Sequence, residues 1–577
     1  MDEISQAFTL KEEPVENFRP LKIRIIGAGY SGIYLGVRIP QKLRNIDLQI
    51  YEKNEGVGGT WWENRYPGCA CDIPAHSYQY PFEPNPLWSA FYAPALEIRH
   101  YLEGVAKKYG VHRFIKMRHQ VKEHHWDDTK KRWKFSVENL ATGEVMEDDA
   151  DILIVASGPL NQLKWPDIKG LETFKGARMH SAAWDEVYNF EDKRIGIIGG
   201  GSSAIQIVPE LQKLPGAKLS CFVRSKTWIT NPFGHQAMIN LGLDPNEFQF
   251  SQEFRDTLAS DPAAYLQFRK EIEIQGSMFH SATLIESTMQ KEARQMFQSM
   301  METRLSKKPE IAEKLIPSFA VGCRRLTPGP GYLEALSEDN VDFITDEIDS
   351  INEQGIRLAS GKEISLDVLV CATGFSVSSS SIFATGRNGA TLATKTPPYV
   401  KTYLGITSQD FPNYFTMLGP NSGVGSGSLT AIIEAQGDYI VKCIRKLQKE
   451  DYATLVPKKS SVEDFSEYVG EYFKRTVFMD ECRSWYKIGK GEAKRVVALW
   501  PGSTQHCIEV LRAPRWEDFD FENRDENRMR WLGNGLSTSN LPEGGDPSFF
   551  IHSQFMDTPP VERPEDDTKY KIRPFSH

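Results

Sequence analysis

Two copies of one short pattern constrain this chain more than anything else in it. Each is an apolar run that ends in closely spaced glycines and passes directly into a helical pattern. The first reads Lys22-Ile-Arg-Ile-Ile, then Gly27-Ala-Gly29-Tyr-Ser-Gly32, then Ile-Tyr-Leu-Gly. The second reads Arg194-Ile-Gly-Ile-Ile, then Gly199-Gly200-Gly201-Ser202-Ser203-Ala204. The runs before the glycines predict buried parallel strands. Gly27 and Gly199 make the tight turn, Gly29 and Gly201 let a pyrophosphate approach the backbone, and Gly32 and Ala204 let helix settle on strand. The phosphates then meet the free N–H groups of a helix N-terminus. The fold expected is α/β, with two dinucleotide-binding (Rossmann-like) domains of the two-nucleotide flavoprotein type.

The residues closing each second strand separate the two sites. Asp-Leu-Gln-Ile-Tyr ends at Glu52, twenty residues past Gly32. A carboxylate there suits a ribose 2′-hydroxyl and repels a 2′-phosphate, so the first site prefers FAD or NAD over NADP. The second strand, Leu-Ser-Cys-Phe-Val, ends in Arg224-Ser225-Lys226. A guanidinium and a hydroxyl suit a phosphate dianion, so the second site prefers NADPH over NADH. Ser202, Ser203 and Gln206 join its glycines as expected coenzyme contacts.

At 577 residues the chain exceeds a single core. Residues 1–20 read as an N-terminal extension and 21–160 as the first part of the FAD domain. Residues 161–234 carry a linker and the first part of the NADPH domain. Residues 235–321, rich in Gln, Glu, Met, Lys and Arg at helical spacing, read as a helical insertion. Residues 322–370 return to the NADPH domain, and 371–577 complete the FAD domain and end in an irregular tail. A net charge of −9 gives no electrostatic support for nucleic-acid binding. No apolar stretch is long enough to cross a membrane, and the acidic N-terminus is no secretory signal. Of eight cysteines only Cys69 and Cys71 are close, at a spacing that fits neither zinc nor a thioredoxin-type motif. Reduced thiols, no metal, a cytoplasmic location and a monomer are expected.

Two further motifs narrow the chemistry. Phe174-x-Gly176-x-x-x-His180-x-x-x-Trp184-Asp185 stands just before the second glycine loop. Gly58-Gly59-Thr60-Trp61, four residues, Tyr66-Pro67-Gly68, three residues and Asp72 follow the first. Together these resemble the type I flavin-dependent Baeyer–Villiger monooxygenases, and motif order and spacing carry the resemblance over roughly residues 20–505. The resemblance implies that Gly59, Thr60, Trp61, Asp72, Ile73 and Tyr78 line the flavin and that His180 positions the coenzyme and the domains. It also implies that in Gly322-Cys323-Arg324-Arg325, Arg324 meets the NADPH phosphate while Arg325, oriented by Asp72, performs chemistry. Gly419-Pro420-Asn421-Ser422, read as opening the helix from Leu429, supplies Asn421 to the flavin, and Trp485 covers the nicotinamide side. Where the family commonly has an arginine before the Cys-Asp pair, this chain has Ala70, so that coenzyme contact is not carried over.

The implied reaction is insertion of one oxygen atom of O2 beside a ketone carbonyl, giving an ester or lactone through a C4a-peroxyflavin. A flavin monooxygenase acting on amines or sulfides shares the glycine motifs, but its linker does not normally end in Trp-Asp. A non-catalytic nucleotide sensor is the alternative of another class; Arg325 and Asp72 argue against it. Ser378–Ser381 and Gly423–Ser428 suggest small-residue loops around a roomy substrate site.

Overall fold

The computed structural model describes residues 8–230, 234–245, 247–376, 383–392, 400–543 and 545–552. Ser378–Ser381 and the tail beyond residue 552 lie outside them. The chain forms two compact units. One, residues 20–447 and 452–522, carries both glycine loops.

In that unit β1 (Leu21–Ile26) runs into α1 (Tyr30–Lys42) and returns as β2 (Ile46–Tyr51). Next come the short β3 (Ile115–Lys116) and then β4 (Ile152–Val155). The second nucleotide fold takes an edge strand from the linker, β5 (Ala177–His180), and continues with β6 (Arg194–Ile198), α2 (Ser202–Gln212) and β7 (Lys218–Phe222). It is completed after the insertion by β8 (Val341–Ile344) and β9 (Val368–Cys371). The chain then returns to the first sheet as β10 (Tyr414–Thr416). The strand orders are β10-β4-β1-β2-β3 and β8-β7-β6-β9-β5. Every pairing within them is parallel. The architecture is thus α/β with two Rossmann-type sheets.

Parallel sheets need cover on both faces, which is why these strands read as continuous apolar runs. Ile23 and Ile25 of β1 pack with Ile33 and Leu35 of α1, and with Ile432 and Ile440 of the long helix Leu429–Lys449. Ile195 and Ile197 of β6 pack with Ile205 and Val208 of α2, and with Phe297 and Met301 of the insertion helix Thr288–Arg304. Burying each such side chain contributes about 1.5–3 kcal/mol. The register Ile26↔Tyr51 and Ile26↔Val155 brings the C-terminal ends of β1, β2 and β4 together. Ile198↔Phe222 and Ile198↔Cys371 do the same in the second sheet. Ligands of open α/β sheets bind at those ends.

Two layers add to the sheets expected from the sequence. The strands His119–Asp127, Arg132–Asn139 and Val145–Ala150 form an antiparallel layer between β3 and β4. A three-stranded meander, Ile348–Ser365, sits between β8 and β9. Residues 235–315 hold helices, among them Gln252–Ser260, Pro262–Met278 and Thr288–Arg304. No described helix is long and apolar enough to cross a membrane.

The other unit joins, among the described residues, 8–19, 448–451, 523–543 and 545–552. In it the Val15 N–H donates to the Leu536 carbonyl at 2.9 Å, and the Glu16 carboxylate accepts from the Ser537 hydroxyl and the Thr538 N–H. Described residues of the N-terminal extension thus pair with described residues of the C-terminal tail, a contact that no sequence motif indicated.

Candidate active site at the two nucleotide loops

The first loop is shaped by backbone that leaves no room for side chains. Gly27 has φ +104°, and a Cβ there would lie 2.7 Å from the Ala156 carbonyl oxygen. A Cβ on Gly32 would lie 1.9 Å from the Gly27 oxygen, the closest helix-to-strand approach in the loop. Gly29 stands at the N-cap of α1, where no side chain caps the helix. Opposite it comes the Gly58-Gly59 turn: Gly59 has φ +55°, and a Cβ on it would be 3.1 Å from the Gly29 Cα. The Gly58 N–H donates to the Ala28 carbonyl at 3.0 Å. Glu52, at the end of β2 and buried, accepts from the Ala28 N–H at 2.7 Å and the Asn54 N–H at 2.8 Å. Burial raises its pKa, and these N–H groups oppose the rise.

The second loop repeats the device with a difference. A Cβ on Gly199 would lie 2.4 Å from the Ala372 oxygen, and one on Gly200 2.7 Å from Val223. In front of Gly201, the N-cap of α2, no atom lies within 4 Å. Ser202 shares a hydrogen bond with Thr327 at 2.8 Å, and Ser203 lies beside the Tyr66 hydroxyl. Arg224 is exposed past β7 and forms no ion pair among the described residues; Ser225 is half-buried beside it. An uncapped helix N-terminus behind bare glycine backbone fits a pyrophosphate at each loop. Buried Glu52 at one and free Arg224 at the other fit a 2′-hydroxyl and a 2′-phosphate.

Gln206 does something sequence alone did not indicate. Its amide donates to the Ala70 carbonyl at 2.9 Å, and its oxygen accepts from the Tyr66 hydroxyl at 2.9 Å. Gly68, at φ +78°, approaches α2 so closely that a Cβ would lie 2.6 Å from the Gln206 carbonyl oxygen. The Tyr-Pro-Gly turn is therefore a clasp between the first loop and α2, with Gln206 its polar fastener.

The clasp carries Asp72 to Arg325. The Arg325 guanidinium makes a two-pronged pair with Asp72, Nε to Oδ2 at 2.8 Å and Nη2 to Oδ1. The Arg325 side chain keeps 37% of its surface exposed, against 12% for Asp72. Burial alone would lower the guanidinium pKa, but the Asp72 carboxylate outweighs it and holds Arg325 firmly charged. Burial lowers the pKa of Arg324, which has no such partner carboxylate among the described residues. Tyr486, which the sequence did not single out, is buried with its phenol against Arg325. Trp485 beside it is half-buried, ring centroids 4.7 Å apart. Trp61 and Tyr78 meet edge to face at 5.6 Å beneath the Asp72 segment, where Thr60 opens a short helix and Ile73 is half-buried. A cavity of about 540 Å³ opens here, lined among others by Trp61, Tyr66, Asp72, Tyr92, Gln206 and Gly329.

Other expected site residues sit differently. His180, at the end of β5, is wholly buried between Trp165 and Phe375. Its Nδ1 accepts from the Ala182 N–H at 3.1 Å, and burial lowers its pKa, so it is a neutral ring inside the linker. The Gly-Pro-Asn-Ser turn does not open the following helix as expected. The helix begins at Leu429, and the Ser428 hydroxyl accepts from the Ala431 N–H at its start. Asn421 instead spends its amide on the Val496 and Leu499 carbonyls, at 3.0 and 3.1 Å. The expectation that all cysteines are reduced is also corrected. Cys323 and Cys482, 159 residues apart, form a disulfide, while Cys69, Cys71, Cys221, Cys371, Cys443 and Cys507 are free. Pairing at that separation leaves no mark in local spacing.

In sequence and in fold the chain is similar to known proteins. A model of the NAD(P)-binding Rossmann-like domain matches residues 25–95. The FAD-binding monooxygenase tazF of Aspergillus terreus is 38% identical over 540 residues, 92% of this chain and 95% of its own length. A Baeyer–Villiger monooxygenase of Streptomyces coelicolor is 32% identical, over 84% of this chain and 89% of its own. Among solved structures, OTEMO in complex with FAD and NADP superposes with a TM-score of 0.74 at 25% identity, covering 87% of this chain and 99% of that one. Cyclohexanone monooxygenase from Rhodococcus sp. Phi1 bound to NADP+ gives the same TM-score and identity, covering 87% and 100%.

Proposed function

We propose a reaction from one premise: this chain belongs to the FAD-binding monooxygenases, the family that includes the Baeyer–Villiger enzymes. It is an enzyme, a monooxygenase that works with FAD and NADPH. The proposed net reaction takes a ketone, O2, NADPH and a proton to an ester or lactone, NADP+ and water. Bound FAD supplies the redox chemistry, taking hydride from NADPH and passing one oxygen atom of O2 to the substrate.

The chain's own residues position and shield. Gly29 and Glu52 hold the FAD pyrophosphate and ribose, and Gly201, Arg224 and Ser225 hold the phosphates of NADPH. Trp61 and Tyr78 supply an aromatic wall with few polar atoms, which keeps water from the reacting face. The observation that carries the reading is the two-pronged Arg325–Asp72 pair. Asp72 occupies one edge of the guanidinium and fixes its plane, while part of the arginine surface stays open. A guanidinium so held keeps its charge and has no labile proton to give. It therefore stabilises negative charge growing on the carbonyl oxygen without quenching a nucleophile by protonation.

The test is direct. Purified yellow protein is supplied with NADPH, O2 and a panel of cyclic, linear and fused-ring ketones, and products are weighed by mass spectrometry. A gain of one oxygen with ester connectivity is expected for some ketones. Oxygenation of amines or sulfides with every ketone returned unchanged would sink the proposal.

A further inference from the structure

We propose that Cys323 and Cys482 are a peroxide-responsive thiol pair, activated by Lys487, whose disulfide ties the loop bearing Arg324 and Arg325 to the segment bearing Trp485 and Tyr486. Cys323 directly precedes Arg324, and Cys482 lies three residues before Trp485. The fold brings their Cα atoms to 6.3 Å. Lys487 reaches both: its ammonium donates to the Cys323 sulfur at 3.2 Å and to the Cys482 sulfur at 3.3 Å. It is fixed there by the carbonyl oxygens of Phe478, at 2.9 Å, and Asp480.

A cation held against sulfur favours the thiolate, the form that attacks peroxide. At ordinary acidity only a few per cent of a thiol is ionised near neutrality. Elsewhere in the chain burial suppresses thiolate further, pushing Cys221 and Cys371 up to about 12. The two sulfurs of the pair also differ in access. Cys323 is fully buried and Cys482 is partly exposed. Cys482 is therefore the thiolate that meets the oxidant, and Cys323 resolves it.

In the first step the Cys482 thiolate attacks one oxygen of hydrogen peroxide. A sulfur–oxygen bond forms, the oxygen–oxygen bond breaks, and the departing hydroxide takes up the proton that the Cys482 thiol released on ionising, leaving as water. In the second, the Cys323 thiol attacks that sulfur. The disulfide forms, the sulfur–oxygen bond breaks, and the departing hydroxide takes the Cys323 proton as water. Two thiols lose two electrons, and one peroxide becomes two waters. The source of peroxide rests on the function proposed above: a flavoprotein oxygenase consuming NADPH without ketone releases it. Reduction would leave the arginine loop tied to this segment by such contacts as the Ala320 N–H to Asp480 carboxylate bond at 2.6 Å.

The whole flavoprotein is reduced with dithiothreitol, desalted, and exposed either to added hydrogen peroxide or to NADPH and air without ketone. Free thiols are trapped with N-ethylmaleimide and mapped by peptide mass. Added peroxide should link Cys323 to Cys482 ahead of any other pair. In Lys487→Gln the linkage should slow about tenfold, the thiolate change for one pKa unit. Diamide, a much faster thiol oxidant supplied in excess, should still link that variant if its fold is intact. Alkylation of both cysteines after peroxide overturns the pair, and an unchanged rate in a diamide-competent Lys487→Gln overturns the role of the lysine. The NADPH arm should give the same linkage, abolished by catalase. Failure in that arm alone overturns the flavin as the source of oxidant, while the ketone panel described above tests the proposed reaction separately.

Discussion

At the scale of single residues, function hangs on where one fixed positive charge stands. Arg325→Ala should retain yellow colour, because Glu52 and the Gly27–Gly32 loop lie elsewhere. It should lose ester formation by about 10²–10³, the usual cost of removing one electrostatic donor from a reacting oxygen. Arg325→Lys should restore little, since an ammonium cannot pair two-pronged with Asp72. Ester formed per NADPH consumed is the measurement, and a near-normal ratio in the alanine variant would move the catalytic cation elsewhere. The sequence offered Asp72 and Arg325 separately, through two motifs 253 residues apart. It could not offer Tyr486, because nothing in a lone Tyr after a Trp tells which side will face an arginine. Asn421 shows the opposite limit: a polar residue in a recognisable turn, read as a ligand contact, whose amide is spent on backbone carbonyls.

At the scale of elements, strand–turn–helix units were legible because glycine spacing and apolar runs are local. Gly32→Ala tests the tightest of them. Its added methyl would strike the Gly27 carbonyl at 1.9 Å, whereas the second unit carries Ala204 at the matching position, buried without such a clash. Overpacking of this kind costs about 1–3 kcal/mol, and here it also displaces the turn that faces the pyrophosphate. The variant should purify with markedly reduced flavin absorbance; full flavin content would contradict the packing argument. The antiparallel layer at 119–150 was not read from its sequence, although one strand marks it: Trp133, Phe135 and Val137 alternate with Arg132, Lys134, Ser136 and Glu138, whereas Val145–Ala150 buries only Ala150 and carries no such period. The helix Leu429–Lys449 carries its own signature. Burial and then the neighbouring Asp438 raise Glu434 from 4.5 to about 7. The folded chain thus holds this proton more tightly than the unfolded chain. Its contribution to stability is present at pH 4.5, is lost as pH rises to about 7, and is flat beyond. Glu434→Gln should remove that slope and stabilise the protein at pH 8 by on the order of 2 kcal/mol. Thermal melts of both proteins between pH 5 and 8 decide it: parallel curves would mean the carboxyl is not held as described.

At the scale of the whole molecule, what escaped the sequence is what joins distant chain. Val15 and Glu16 pair with residues 536–538 near the other end of the chain, and Cys323 meets Cys482 across 159 residues, though no local pattern marks either event. What did not escape is the asymmetry of two nucleotide sites built on one plan. Glu52 is buried against the backbone of the first loop, while Arg224 stands exposed past the second with no ion pair among the described residues. A charge without a partner beside an uncapped helix N-terminus is available for a phosphate, and only NADPH brings a phosphate to the ribose 2′ position. Arg224→Ala should therefore lower kcat/KM for NADPH about 10- to 100-fold, as expected from losing a charged hydrogen bond worth ~1.5–3 kcal/mol. The same parameter for NADH should barely change, because that coenzyme presents a hydroxyl where the guanidinium reached. Flavin reduction by each coenzyme, followed anaerobically by stopped-flow absorbance, separates this effect from oxygen chemistry at Arg325. Equal losses with NADPH and NADH would mean that Arg224 supports the loop rather than the 2′-phosphate, and would return the choice of coenzyme to Arg324.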